Sequence, residues 1–268
     1  MEDVRKYACA LVTGASSGLG EEFAWQLAPQ VRQLVLVARR EVLLEELAEK
    51  LREAYPGIGV SVRAADLTDG RERARLVEGL WKDGWVPDLL VNNAGMGDYG
   101  EFVSAEWEKL EAMMQLNMEA LTHLTHALVP GMMRAGRGAV VNVSSLASVL
   151  PIPDFAVYAA TKAYVSSFSE ALRIELQEFG IPVVAVCPGP VHTGFGEVAK
   201  RGEKGREMPG YEYFYVPAEQ VVAESLAGLE KRRARVYPSL KVALSAAVIA
   251  AIPLVLLRQV LSVRPRRG

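Results

Sequence analysis

Short apolar runs alternate with stretches of helical periodicity along most of this chain, and that alternation admits few folds. Ala8 to Thr13, Gln33 to Ala38, Ile58 to Ala64, Asp88 to Val91, Ala139 to Val143 and Pro182 to Val186 read as six strands. Helical patterns separate them. One ends near Ala28, another spans Val42 to Ala54 with Leu43, Leu44, Leu47 and Leu51 at helical spacing, and a third covers Arg71 to Trp81. A long helix is expected from about Ala105 to Met133, and the next runs to about Phe179. Strands that take turns with helices form right-handed βαβ units, so a parallel sheet covered on both faces is expected. The 268 residues, 50% of them hydrophobic, suffice for the core of one such doubly wound α/β domain. That domain is expected over residues 1–238, followed by a short basic and apolar extension, 239–268.

Gly14-Ala15-Ser16-Ser17-Gly18-Leu19-Gly20 lies between the first strand and the first helix. In a doubly wound fold this loop meets a pyrophosphate at the helix N-terminus, and glycines admit the phosphates close to the backbone. Its spacing is wider than GxGxxG, and a plain tight turn is the bland alternative. The second strand ends at Arg39-Arg40. An acid there suits a ribose 2′-hydroxyl, whereas arginines suit a 2′-phosphate, so NADP(H) is expected over NAD(H). Read as a mere solvated pair, two cations at a helix N-terminus would be mildly unfavourable.

Tyr158 and Lys162 are four residues apart on one helix face, which sets the ammonium under the phenol. A free phenol has a pKa of about 10, and a nearby cation is expected to move it toward the working range. Ser145, 13 residues before Tyr158, follows the fifth strand and is aimed at the same place. Alone, the Tyr/Lys spacing is a weak signal.

Together these features resemble the short-chain dehydrogenase/reductase family, over roughly Ala8 to Thr193, with a Rossmann-like fold. Thr13-Gly14-Ala15-Ser16-Ser17-Gly18-Leu19-Gly20 resembles its TGxxxGxG loop, and Asp66-Leu67 its adenine-contacting pair. Asn92-Asn93-Ala94-Gly95 is similar to its NNAG motif, which supports sheet and cofactor. Pro188-Gly189, with Val191 and Thr193, resembles the segment holding the nicotinamide carboxamide. The resemblance implies a catalytic set of Asn117, Ser145, Tyr158 and Lys162. Tyr158 would exchange the proton, Ser145 hold the substrate oxygen, Lys162 bind the nicotinamide ribose, and Asn117 link Lys162 to solvent through water. Ser145 is chosen over Ser144 because the family's serine stands 13 before the tyrosine. A homodimer or homotetramer is implied in the same way.

The expected activity is therefore hydride transfer between NADP(H) and a carbonyl/alcohol pair. A 3-oxoacyl carrier-protein or acyl-CoA reductase is one alternative. A non-catalytic NADP-binding sensor or scaffold is the other, though binding alone requires neither Ser145 nor Tyr158. Gly194 to Gly210 breaks the alternation and reads as a mobile lid in a substrate loop of about 194–216. Tyr211, Tyr213, Phe214 and Tyr215 read equally as helix-docking residues or as a wall for an apolar substrate.

His123 and His126 lack companions with ligand spacing, so no metal is expected. Trp25, Trp81, Trp85 and Trp107 are expected to pack. Cys9 and Cys187 sit in strand-like runs and read as core thiols in a reducing compartment. The charged N-terminus reaches strand sequence at once, which predicts no secretory leader and a cytoplasmic protein. Charge is uneven: residues 231–268 hold nine Lys/Arg and no acid, within a chain of net charge -2. Val242 to Leu257 is 16 residues interrupted by Pro253, short of the ~20 that span a bilayer. A helix packed on the domain or a neighbouring subunit is expected first, and peripheral contact with anionic lipid second. Nucleic acid is not expected, since no binding motif accompanies the charge.

Overall fold

The first apolar run becomes the centre of the sheet, because its residues are buried from both sides. A computed structural model describes residues 5–201, 212 and 215–262. β1 (Tyr7–Thr13), β2 (Val31–Ala38), β3 (Gly59–Ala64), β4 (Leu89–Asn92), β5 (Ala139–Val143), β6 (Val183–Val186) and β7 (Arg235–Val236) form one sheet in the order β3-β2-β1-β4-β5-β6-β7. Every pairing is parallel. The order reverses between β1 and β4, which opens a crevice at the carboxyl ends of these strands.

Side chains alternating along β1 feed two cores. Ala10 and Val12 face α1 (Gly18–Leu27), α2 (Glu41–Ala54) and α8 (Ala218–Glu230), while Cys9 and Leu11 face α3 (Gly70–Lys82) and α5 (Leu121–Ala135). Both cysteines are buried free thiols. The catalytic-motif helix, α6 (Ala156–Glu175), packs against β6. A buried polar ladder ties sheet to helices: Asn92 Nδ2 donates to Thr125 Oγ1 (2.9 Å) and Asn142 Oδ1 (2.8 Å), and Asn142 Nδ2 to Ser169 Oγ (2.9 Å). Unpaired amides at these depths would be costly.

The structure corrects several expectations. β7 is a seventh strand; two residues are too few to show periodicity, and it forms because β6 offers an open edge. The long helix is α4 (Trp107–Met114), a π-helical turn (Gln115–Ala120) and α5, with Asn117 in the turn. Residues Phe195–Ala199 of the expected mobile loop form a short helix, α7, while 202–211, 213 and 214, and so Tyr211, Tyr213 and Phe214, lie outside the described residues. The apolar run of the tail is two helices, α9 (Leu240–Ala251) and α10 (Leu254–Ser262), separated at Ile252-Pro253 because proline cannot continue the first. Trp81 and Trp107 are mostly exposed and not packed as expected.

Candidate active site

The glycine loop closes on itself so tightly that only its own residues fit. Gly18 has a φ of +59°, where L side chains are strained. A Cβ on Gly20 would stand 2.1 Å from the Gly14 carbonyl oxygen, and one on Gly14 would stand 2.9 Å from Ala94 Cα. Thr13 joins loop to sheet: its Oγ1 accepts from the amides of Asn93 and Ala94 at 3.0 Å, and Asn93 Nδ2 donates to Thr13 O at 2.9 Å. Leu19 packs against the core. Thr193 lies across the mouth, about 3.0 Å from where a Gly18 Cβ would stand. Leu146 N donates to Pro188 O, and Val191 packs on the core, which fixes the segment around Gly189.

Arg40 reaches back over this loop. Its guanidinium donates to Ser16 Oγ at 2.9 Å and Ser17 Oγ at 2.8 Å. Arg39 stands 3.8 Å from Asp66, whose carboxylate also accepts from Thr68, while Leu67 is buried beside it. The loop and its arginines thus fit a dinucleotide: close backbone for phosphates, and an exposed cation beside two hydroxyls at the end of β2.

Deeper in the crevice the four proposed catalytic residues converge. Asn117 Nδ2 donates to Met96 O (2.9 Å) and Thr161 Oγ1 (3.0 Å), and its Oδ1 accepts from Met96 N. The wider π turn sets this side chain inward, a deviation common at functional sites. Gly95 is where Asn117 and Lys162 meet, since a Cβ there would lie 3.2 Å from Asn117 Oδ1 and 3.3 Å from Lys162 Nζ. Lys162 Nζ donates to Val143 O at 2.9 Å and lies 5.7 Å from the Tyr158 ring centre. Ser144 is occupied with Lys162 O and Ser166, whereas Ser145 follows β5 in extended conformation and accepts from Ala147 N.

Burial, more than Lys162, sets the acidities here. Desolvation pushes Tyr158 up to about 12, with the Ser145 hydroxyl pulling the other way. The same burial lowers Lys162 to about 8, against a small opposing effect of Cys187. The expected depression of the phenol by Lys162 is therefore not what this arrangement gives. The ammonium lies by the ring, bonded to Val143 O, and burial is what shifts the phenol.

Residues absent from the sequence reading complete the site. Phe155 stacks on Tyr158 at 4.2 Å between ring centres, and Phe195 of α7 tilts against its ring at 5.3 Å. α7 is held down by Asp98, which is 4% exposed. Asp98 Oδ1 accepts from Arg201 Nε at 2.9 Å and stands 3.3 Å from Lys109 Nζ. Burial would raise the Asp98 carboxyl, but the bonds and charges of Arg201 and Lys109 hold it below the usual range. Lys109 also donates to Lys200 O, and Tyr99 N to Ala199 O. Phe155, three residues before Tyr158, was findable from helical spacing. Asp98 and Arg201, 103 residues apart, carried no such signal. His192 stacks on Tyr215 at 3.9 Å, placing that aromatic beside the carboxamide segment.

Comparison with known proteins agrees with this geometry. The family model described as short chain dehydrogenase matches residues 8–204. A very-long-chain 3-oxoacyl-CoA reductase-like protein of Arabidopsis thaliana is 33% identical over 76% of this chain and 67% of its own length. The chain spans only 53% of a Laccaria bicolor relative named very-long-chain 3-oxoacyl-CoA reductase. Among solved structures, a short-chain dehydrogenase from Sphingobium yanoikuyae in complex with NADPH is 34% identical. It has a TM-score of 0.79 and covers 97% of this chain and 98% of its own. A bulky-bulky ketone specific alcohol dehydrogenase from Comamonas testosteroni is 31% identical, with a TM-score of 0.75 and coverage of 98% and 97%. With its fold, glycine loop and Ser145/Tyr158/Lys162 crevice in place, this chain belongs to the short-chain dehydrogenase family and is a nicotinamide-dependent oxidoreductase acting on CH-OH groups.

Proposed function

We propose that the protein is an NADP(H)-preferring reductase of a bulky, apolar ketone, with Tyr158 as the proton donor. The single observation that carries this reading is the aromatic enclosure of Tyr158, with Phe155 stacked on its ring and Phe195 tilted against it, where burial pushes the phenol up to about 12. A phenol in that range carries its proton at neutral pH, the form a carbonyl oxygen needs as it gains negative charge. When bound, the nicotinamide cofactor supplies the hydride. Ser145 hydrogen-bonds the substrate oxygen and holds it at Tyr158. Lys162, which meets Asn117 at Gly95, returns a proton toward Tyr158 and regains one from solvent along a path that Asn117 holds in place. Phe195 of α7 covers the Tyr158 ring.

Arg40 supports the preference for NADP(H), because its guanidinium is already placed over Ser16 and Ser17 by two hydrogen bonds. Bulky apolar substrates are supported by the aromatic walls and by the relatives' names, one a bulky-bulky ketone specific alcohol dehydrogenase and one a very-long-chain 3-oxoacyl-CoA reductase-like protein. Free buried Cys9 and Cys187 support a reducing, cytoplasmic setting. Exposed Tyr164 and Ile174 on α6 support a homodimer or homotetramer built on this helix and the long helix.

The test is titration with NADPH and NADH, followed by turnover of a ketone panel from small to bulky, with a long 3-oxoacyl thioester included. Tight NADPH binding, bulky-ketone consumption and a shift toward NADH in Arg40→Asp are expected. Preference for NADH in the native protein would overturn the role of Arg40. Tight NADPH binding without turnover of any carbonyl would favour the non-catalytic sensor. Turnover confined to the thioester would assign the acyl-CoA reductase reading instead.

A further inference from the structure

We infer that the outer face of α9 and α10 docks on an anionic lipid surface. α9 buries only Val242 and Ala246 against the domain. Its opposite side carries Leu240, Leu244 and Val248, one helical turn apart and 75%, 57% and 61% exposed. Beyond Pro253, α10 adds Val255 and Leu256, 63% and 52% exposed. Of sixteen exposed large hydrophobic side chains among the described residues, six lie between Leu240 and Leu256. That concentration is an interaction surface and not the ordinary scatter of single apolar residues. Apart from Lys241, which donates to Tyr215 O, and Ser245, which donates to Lys241 O, α9 is apolar, and among the described residues its face of Leu240, Leu244 and Val248 is exposed.

The depth of insertion is limited. α9 has 12 residues and α10 has 9, and no described helix is long and apolar enough to cross a membrane. The pair therefore lies along the interface, with Pro253 setting the bend between them.

Charge selects the occupant. No charged residue interrupts Val242 to Leu257, while Arg258 follows it directly and Arg264, Arg266 and Arg267 come later in the sequence. Residues 231–268 contain no acid. A twofold contact of this face with its own copy would add no carboxylate from either segment to offset the arginines. An anionic headgroup layer meets the apolar face and its cationic flank together. α9 also touches the turn Leu146–Val149 that follows Ser145, so the helix packs beside the active-site segment. The assignment stands on the surface itself and does not depend on the substrate reading.

The experiment is co-sedimentation of the full chain with vesicles of phosphatidylcholine alone and of phosphatidylcholine with phosphatidylserine, at low and high salt. Binding to the anionic vesicles, at least tenfold stronger than to neutral ones and weakened by salt, is expected. Leu244→Glu/Val248→Glu, both at exposed positions, should abolish it without changing melting temperature or NADPH affinity. Arg258→Glu should weaken it several-fold. Equal binding to neutral vesicles would overturn the role of the basic flank. No vesicle binding, with a change of oligomeric state in the double variant on size exclusion, would assign the face to a second copy of the chain.

Discussion

The two walls of the active-site crevice are built by different means. The cofactor wall is mainly backbone against backbone: Gly20 packs on Gly14 and Gly14 on Ala94, with Thr13 and Asn93 as rivets, while Gly18 faces the Thr193 side chain. The substrate wall is side chain against side chain, with Phe195 on Tyr158 and Arg201 on Asp98. Backbone contacts of the first kind tolerate almost no substitution. Contacts of the second kind can be released and remade, as a wall that admits substrate requires.

The largest effect should come from breaking the cofactor wall. Gly20→Ala places a methyl 2.1 Å from a backbone oxygen that has no flexible end to move. NADPH affinity should fall on the order of a hundredfold, as expected for a displaced phosphate loop, measured by fluorescence titration. Unchanged affinity would show that this wall is not rigid.

Releasing the substrate wall should do something different. Asp98→Ala leaves Arg201 and Lys109 without their shared carboxylate, and breaking such a largely buried pair costs roughly 3 kcal/mol. Denaturant unfolding should show that loss, KM for ketone should rise several-fold, and NADPH affinity should hold. If NADPH affinity fell as far as in Gly20→Ala, the two walls would be one unit.

The smallest effect, with a pH signature, concerns Lys162. Burial holds it at about 8 against an ordinary 10.5. Between those values the unfolded chain binds more protons than the folded one, so this group's contribution to stability rises with pH across that window. Lys162→Met lacks it. Wild type should gain on the variant in urea midpoint from pH 8 to about 10.5, whereas a constant difference would mean that Lys162 titrates normally.

The same contrast explains what was legible from the chain. Six strands and the glycine loop follow from periodicity and from the need for glycine where backbones touch. Ser145, Tyr158 and Lys162 lie in one crevice because helix spacing and the end of β5 are local facts. β7 escaped notice because two residues have no period. Asn117 was found without its π turn, since a single wider turn leaves the apolar pattern of the long helix intact. Asp98 and Arg201 stand 103 residues apart, and nothing short of the folded chain pairs them. The pKa of Tyr158 was misjudged for a related reason: neighbours in sequence reveal the cation, and burial comes from the whole fold.

The central claim is that Tyr158 donates the proton, and Tyr158→Phe tests it most directly. The variant keeps the ring between Phe155 and Phe195 and removes only the hydroxyl. NADPH titration should give the wild-type affinity, while turnover of the best ketone should drop by 10²–10⁴-fold, roughly the worth of a positioned acid. A variant that retains on the order of a tenth of the wild-type rate would mean that another group, or water, supplies the proton.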